Sequence, residues 1–335
     1  MTESTIPGPT LVIRERSTAG RVLRWGLVLL LFISLGLNVV LAIMLGGFSE
    51  LSRGILGATG IHERVLRAGS AEQIAVIHLT GLISGATVAE VRADVRYVQS
   101  HPSIRAVVLR VDSPGGGVTD ADECYHQLMK LRDDNRVVVA SIGSLGASGA
   151  YYISMAAEKI YAEPTSLVGS IGVMIPGFQL TGLMKKIGVQ PEFLTSKAAT
   201  WKEAGSPFSD YSPEVKAYLV HLLDADHARF AGIVAAGRGT RLNVPIAQVA
   251  NGKVWGASDA LKKGLIDAIG YSGSAYHGAA KLAGIYNPTV VELQSPGTLL
   301  DLVKIKSAVQ SPQLRVSPGS LLNMMRPKME YLFIP

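Results

Sequence analysis

Ser148 is the residue with the best credentials for nucleophilic chemistry, because the run R-V-V-V-A-S-I-G-S-L-G-A-S-G-A-Y-Y-I-S, Arg136 to Ser154, places it where a β-branched apolar stretch gives way to a helical pattern. Gly146, Ala147, Gly149 and Ala150 leave space for a second backbone to approach the hydroxyl. Free N–H groups at the start of the following helix can stabilise negative charge that develops beside it. A turn of small residues also serves plain helix-on-sheet packing, and G-A-S-G is not the G-x-S-x-G elbow of the α/β-hydrolases. A second glycine cluster, D-S-P-G-G-G at Asp112–Gly117, follows the preceding apolar run. Pro114 has no N–H, so any donors to an oxyanion there come from Gly115 or Gly116. Its plainer reading is a tight turn.

A serine hydroxyl needs a proton acceptor within hydrogen-bond reach. His126 shares a helix face with Glu123 and Lys130, and His221 and His227 lie on another helix with Asp224 and Asp226. A lysine serves if burial keeps it neutral. Lys202, flanked by Trp201, Ala204 and Gly205, fits that better than the adjacent Lys185 and Lys186; the residues alone leave the base open among Lys202, Lys197 and the histidines. Ser170, between small residues in V-G-S-I-G-V, has either a structural role or a hydrogen bond to a catalytic amine.

The elements that must carry these residues form an alternating pattern. Strands are expected at Gln73–Leu79, Ile104–Val111, Arg136–Ile142, Lys159–Ala162, Val168–Met174 and Gln190–Leu194. Helices are expected at Thr87–Gln99, capped by Thr87, at Val118–Leu131, after Ser148, at Phe178–Ile187, at Val215–Ala236 and at Ala257–Lys263. Residues 195–207 read as a loop carrying Lys197 and Lys202. Strands alternating with helices argue for an α/β domain with mostly parallel strands. Two consecutive strands that each run into a glycine-rich turn and a helix put both turns at one sheet edge, where ligands of such sheets sit.

Composition narrows the function classes. The chain has 335 residues, 48% hydrophobic and 17% charged, with a formal net charge of +6. Its Lys and Arg are scattered and few aromatics stand beside them, which argues against nucleic-acid binding. The single cysteine, Cys124, allows no intrachain disulfide and reads as a small core residue, and the seven histidines form no H-E-x-x-H motif, so no metal or other cofactor is expected.

Residues 1–24 are polar with Arg14, Arg16, Arg21 and Arg24, residues 25–49 carry no charge, and Glu50 follows. At about 1.5 Å per residue a helix of that length crosses a hydrocarbon core of about 30 Å. A cytoplasmic tail, a transmembrane helix and an extracytoplasmic domain therefore follow from the positive-inside rule. A cleaved signal peptide competes, but the apolar run exceeds an ordinary signal core and lacks a clear small-x-small site. Residues 50–70 read as a juxtamembrane linker, 71–290 as the catalytic domain, and 291–335 as an extension whose apolar end, Y-L-F-I-P, suits strand-like docking on a neighbouring copy.

Taken together, D-S-P-G-G-G, S-L-G-A-S-G-A-Y-Y-I-S, V-G-S-I-G-V, W-K-E-A-G-S-P and N-G-K-V-W-G-A-S-D-A-L-K-K-G-L-I-D, in that order from Ile74 to Ile285, resemble the signal peptide peptidase A family of membrane-anchored serine-lysine proteases. The resemblance implies a core of the ClpP and crotonase type, Ser148 as nucleophile, Lys202 as general base, and oxyanion donors from Gly115, Gly116 and Gly149. It implies peptide substrates, remnant signal peptides among them, at the bacterial inner membrane. One copy of the motifs implies a short form that assembles into a homo-oligomeric ring, an octamer being the expected size, in which the lysine reaches a neighbouring subunit's serine. An acyl-CoA enzyme of the crotonase type and a catalytically silent membrane scaffold are the rival readings.

Overall fold

The computed structural model describes residues 60–199 and 201–294, the backbone of 330–332, and Ser34. The expected transmembrane segment and most of the C-terminal extension lie outside the described residues. Among the described residues no helix is long and apolar enough to cross a membrane.

In chain order the elements are β1 His62–Arg67, β2 Ser70–Ile83, α1 Gly85–Ser100, β3 Ile104–Gly117, α2 Val118–Asp133, β4 Val137–Ala147, α3 Gly149–Ser154, β5 Lys159–Ala162 and β6 Leu167–Gly169. They continue with α4 Thr181–Ile187, α5 Pro213–Arg238, α6 Ile246–Val249, β7 Val254–Gly256, α7 Ala257–Lys263, β8 Ala268–Ile269, α8 Ser272–Ala283, β9 Pro288–Gln294 and β10 Glu330–Leu332. The fold is mixed α/β, as the alternation of strand and helix patterns leads one to expect. The main path of the sheet is β1-β9-β2-β3-β4-β5-β8, parallel except for β1 on β9.

Hydrophobic spacing explains the layers. Val88, Val91, Val95 and Val98 form the inner face of α1, and with Cys124, Leu128 and Leu131 of α2 they cover one face of the sheet. On the other face Ala275, Ala279 and Ala280 of α8 pack on Ile74, Val76, Val108 and Val139. Cys124 is fully buried, and burial, the largest effect, with Asp120 and Glu123 nearby, pushes its thiol up to about 12, so it is an inert core residue.

Several boundaries differ from the sequence reading. The sheet begins inside the expected linker, because His62–Arg67 pairs with β9, and it continues to Gln294. Thr87 does not precede its helix; it sits in the first turn and its Oγ1 accepts the Ser84 N–H at 3.2 Å. The expected strand at 190–194 does not form, since this segment is exposed and pairs with no strand. The strand expected over Val168–Met174 stops at Gly169, where Ser170 turns through a positive φ of 52°.

Asp112–Gly117 is the most consequential difference. It is not a tight turn but the end of β3, with Leu82 and Ile83 of β2 opposite Gly115 and Gly116. A Cβ at Gly116 would collide with the Ile83 backbone, which is why glycine stands there.

Candidate active site

The strand β4 ends at Ala147, paired in parallel with Gly169 of β6, and α3 begins at Gly149. Ser148 bridges them with φ 54° and ψ −120°, a backbone conformation that is costly for a residue with a Cβ by about 1–3 kcal/mol and persists only where neighbours over-determine it. Those neighbours are identifiable. The Ser148 N–H donates to Gly169 O at 2.7 Å, and its carbonyl accepts the Tyr152 N–H at 2.9 Å. Gly146 admits the approach of Ile142, whose Cγ2 lies 2.8 Å from where a Cβ would be.

The serine side chain is correspondingly unusual. Ser148 is 1% exposed, and among the described residues its Oγ meets no hydrogen-bond partner. A buried hydroxyl without a partner costs about 1–3 kcal/mol, so structural packing gives no reason for it.

Around Ser148 stand the other small-residue positions singled out from the sequence. Ser170 follows Gly169, the residue that accepts the Ser148 N–H; it is 6% exposed, and its own N–H donates to Lys253 O at 2.8 Å. Gly115, at φ 104°, uses its N–H internally, donating to the Ser113 hydroxyl at 3.1 Å. Gly116 and Gly117 lie on the strand edge taken by β10, with Tyr331 opposite Gly116, Leu332 opposite Gly115, and the two strands antiparallel. This β10 strand also approaches α3, the helix that starts immediately after Ser148. Gly149 is the first residue of α3. The Gly115–Gly117 edge and the Ser148 turn are therefore neighbours, and an extended chain segment fits beside them.

Lys202 is not part of this cluster within the chain. It lies on a run of turns, 201–205, and is exposed; among the described residues its amine makes no hydrogen bond or ion pair. Among the described residues no dry pocket surrounds it, and Lys197 is also exposed. Trp201, next to Lys202, meets Tyr218 of α5 edge-on at 5.4 Å. This region also leaves Phe178, Ile187 and Leu194 at 68%, 62% and 92% exposure, and α4 buries no residue at all. As for the histidines, His126 is exposed on α2, and His227 Nε2 lies 2.9 Å from Ala250 O on α5's own flank.

Two structural features of the site escaped the sequence reading. The first is the anchoring of α3 by consecutive tyrosines. Tyr151, fully buried, donates its hydroxyl to Leu265 O at 2.7 Å, and Tyr152 donates to Asp122 Oδ1 at 2.5 Å. The second is the ion pair of Arg238, 1% exposed at the end of α5, with Asp267: two bonds of 2.9 Å, plus 2.7 Å from Nε to Gly264 O. The double aromatic after Ser148 was a signal in the sequence; the pairing of Arg238 with Asp267 had none.

Sequence profiles match two stretches that overlap on the Ser148 region: Clp protease over residues 66–168 and peptidase family S49 over residues 130–286. A Synechocystis protein catalogued as a candidate protease is 34% identical over 229 residues, 68% of this chain and 80% of that one. A candidate protease of Methanocaldococcus jannaschii is 37% identical over 58% of this chain and 61% of its own. A candidate signal peptide peptidase of Enterococcus faecium is 31% identical over 60% and 58%. Neither an acyl-CoA enzyme nor an inert scaffold accounts for these relatives around a buried, unpartnered serine on a strained strand-to-helix turn. The chain belongs to peptidase family S49 and is a serine protease.

Proposed function

We propose that Ser148 is the nucleophile of a membrane-anchored endopeptidase and that Lys202 of a second copy of the chain is its general base. One observation carries this reading. Among the described residues the Ser148 hydroxyl is buried with no partner, while Lys202 stands exposed and unengaged beside the exposed Trp201, so each lacks what the other supplies. A subunit contact that covers Lys202 and the exposed Trp201 beside it would desolvate the amine, and desolvation lowers a lysine pKa toward the neutral form the reaction requires.

The chemistry is acyl transfer. Neutral Lys202 takes the Ser148 proton as the oxygen attacks a peptide carbonyl, and the same lysine then protonates the leaving amine. Water hydrolyses the acyl-enzyme, with Lys202 again as base. Gly149 and Gly116 are the proposed N–H donors to the oxyanion. Gly115 is the weaker candidate because its N–H already bonds Ser113. Ser170, beside the serine turn, is proposed to orient the incoming amine.

The pairing of β10 with Gly115–Gly117 suggests how a peptide lies: extended and antiparallel to that edge, with backbone hydrogen bonds giving affinity regardless of sequence. On this reading the chain's own C-terminus competes for the groove. Residues 25–49 anchor the enzyme in the bacterial inner membrane, with the protease domain on the extracytoplasmic side and signal peptides or other membrane-protein fragments as its substrates. The ring of copies, an octamer by family resemblance, belongs to the same proposal.

The test is peptide hydrolysis by full-length variants. Ser148→Ala and Lys202→Ala should each lose at least about a thousandfold in kcat without loss of fold. Lys202→Arg should be equally inactive, because a guanidinium does not give up its proton. Activity retained in the arginine variant would remove Lys202 from the mechanism.

A further inference from the structure

The six-residue helix α3 is too short to hold Ser148 in its costly conformation unaided. Tyr152 lies one turn beyond the serine and is fully buried, with its N–H on the Ser148 carbonyl. Its hydroxyl donates to Asp122 Oδ1 of α2 at 2.5 Å, and the same oxygen accepts from the Arg229 guanidinium of α5 at 2.6 Å. Phe230, adjacent to Arg229, meets the Tyr152 ring edge-on at 5.2 Å, and Tyr125 of α2 does so at 5.5 Å. Three helices therefore converge on one phenol.

The helix α5 also leads to the lysine loop. Trp201 packs on Tyr218, and from Tyr218 to Arg229, eleven residues at about 1.5 Å each, the helix runs about 16 Å as one rod. One end of the rod touches the neighbour of Lys202; the other grips the helix that carries Ser148.

We propose that Asp122 is a positioning residue for the protease: the chain Tyr152–Asp122–Arg229 fixes the angle of the nucleophile helix against α5, and so sets where the Ser148 oxygen points. The inference rests on Ser148 being the nucleophile. The ring contacts with Phe230 and Tyr125 place the Tyr152 side chain in the core, but apolar contacts do not fix direction as two charge-assisted hydrogen bonds to one oxygen do. Asp122 and Arg229 keep side-chain exposures of 37% and 55%, so disconnecting them strands no charge in the core. The result to expect is therefore lost chemistry with retained folding. A small misplacement of a reacting atom is enough for about a hundredfold loss in rate.

The experiment uses the full-length protein in detergent or vesicles, and compares wild type with Tyr152→Phe, Asp122→Asn and Arg229→Gln. The readouts are the rate of Ser148 acylation by a fluorophosphonate probe, kcat and KM on a fluorogenic peptide, and thermal melting. Tyr152→Phe and Asp122→Asn should slow acylation and kcat by about 10- to 100-fold with KM within about twofold, their double variant should be no worse than either, and Arg229→Gln should lie between them and wild type. Acylation at the wild-type rate in Tyr152→Phe or Asp122→Asn would overturn the positioning role, as would a loss that merely tracks the unfolded fraction. If Arg229→Gln, half in solvent, labels like wild type while the others are slow, the link to α5 is overturned. Failure of wild type itself to label at Ser148 would instead remove the nucleophile assignment.

Discussion

Buried polar atoms without partners single out residues that packing alone does not explain, and two of them are Ser148 Oγ and Asp94 Oδ1. For the serine, the proposed function supplies a chemical use. Asp94 has no such use: it lies 6% exposed on α1 between Val91 and Val95, and burial first, then the charge of Glu90, raises its pKa to about 7. Below about pH 4 the carboxyl is neutral in both the folded and unfolded chain. Between about pH 4 and 7 the unfolded chain releases a proton that the folded chain keeps, so this group lowers stability as pH rises through that window, by on the order of 2–4 kcal/mol in all. Asp94→Asn should therefore melt close to wild type at pH 4.5 and clearly above it at pH 8. A melting difference that stays flat between those pH values would show that the carboxyl does not titrate this way. Asp94 was legible in principle, because the valine stripe that defines the inner face of α1 also contains position 94. The turn at Ser148 was legible because small residues between a β-branched run and a helical pattern have a local signature. The exposure of Lys202 was not, since the surroundings of a loop lysine depend on what packs over it.

Elements are held at the site by contacts between residues far apart in sequence, and here local pattern has least to say. Arg238 closes the end of α5 onto Asp267, which also accepts the Ile160 N–H of β5 at 2.7 Å. Tyr151 of α3 hydrogen-bonds Leu265 in the same segment, so the ion pair supports the floor under the helix that follows Ser148. Burial works against the Asp267 charge, but Arg238, the Ile160 N–H and Arg241 outweigh it and hold the carboxyl below its ordinary range. Its folded pKa is depressed, so its stabilisation is present above the unfolded carboxylate pKa of about 4 and is lost as pH falls through the lower folded value. Asp267→Ala leaves Arg238 charged and buried, and should cost about 3–5 kcal/mol in denaturant unfolding at neutral pH. A cost under about 1 kcal/mol would mean that the pair is no better than a surface salt bridge. The strand endings teach the same lesson. Asp112–Gly117 carries turn residues, and it is a strand because β2, β4 and β10, all distant in sequence, pair with it.

At the scale of the whole molecule two surfaces call for occupants. The Gly115–Gly117 edge is paired with β10 of the same chain. If that strand competes with substrate, deleting residues 329–335 should lower KM for an extended fluorogenic peptide several-fold, and a synthetic peptide of the deleted sequence should inhibit the truncated enzyme competitively. Unchanged KM would mean the tail has no part in the groove.

The exposed Lys202 beside Trp201 is the other feature. Because Lys202 is exposed in its own chain while Ser148 waits buried, chains with either residue removed should complement one another if the base arrives from a neighbour. Each inactive variant contributes what the other lacks: the Lys202→Ala chain has the serine, and the Ser148→Ala chain has the lysine. In a ring of head-to-tail contacts formed from equal amounts of the two, a competent site needs a serine-bearing chain beside a lysine-bearing one in the correct order. Random mixing makes about one quarter of the sites competent. Coexpressed variants should thus recover about a quarter of wild-type peptide hydrolysis per chain, whereas each alone stays inactive and mixing of preformed assemblies that do not exchange restores nothing. A coexpressed pair that assembles together yet remains inactive would place the base within the same chain, and would require the loop at 201–205 to move onto its own serine.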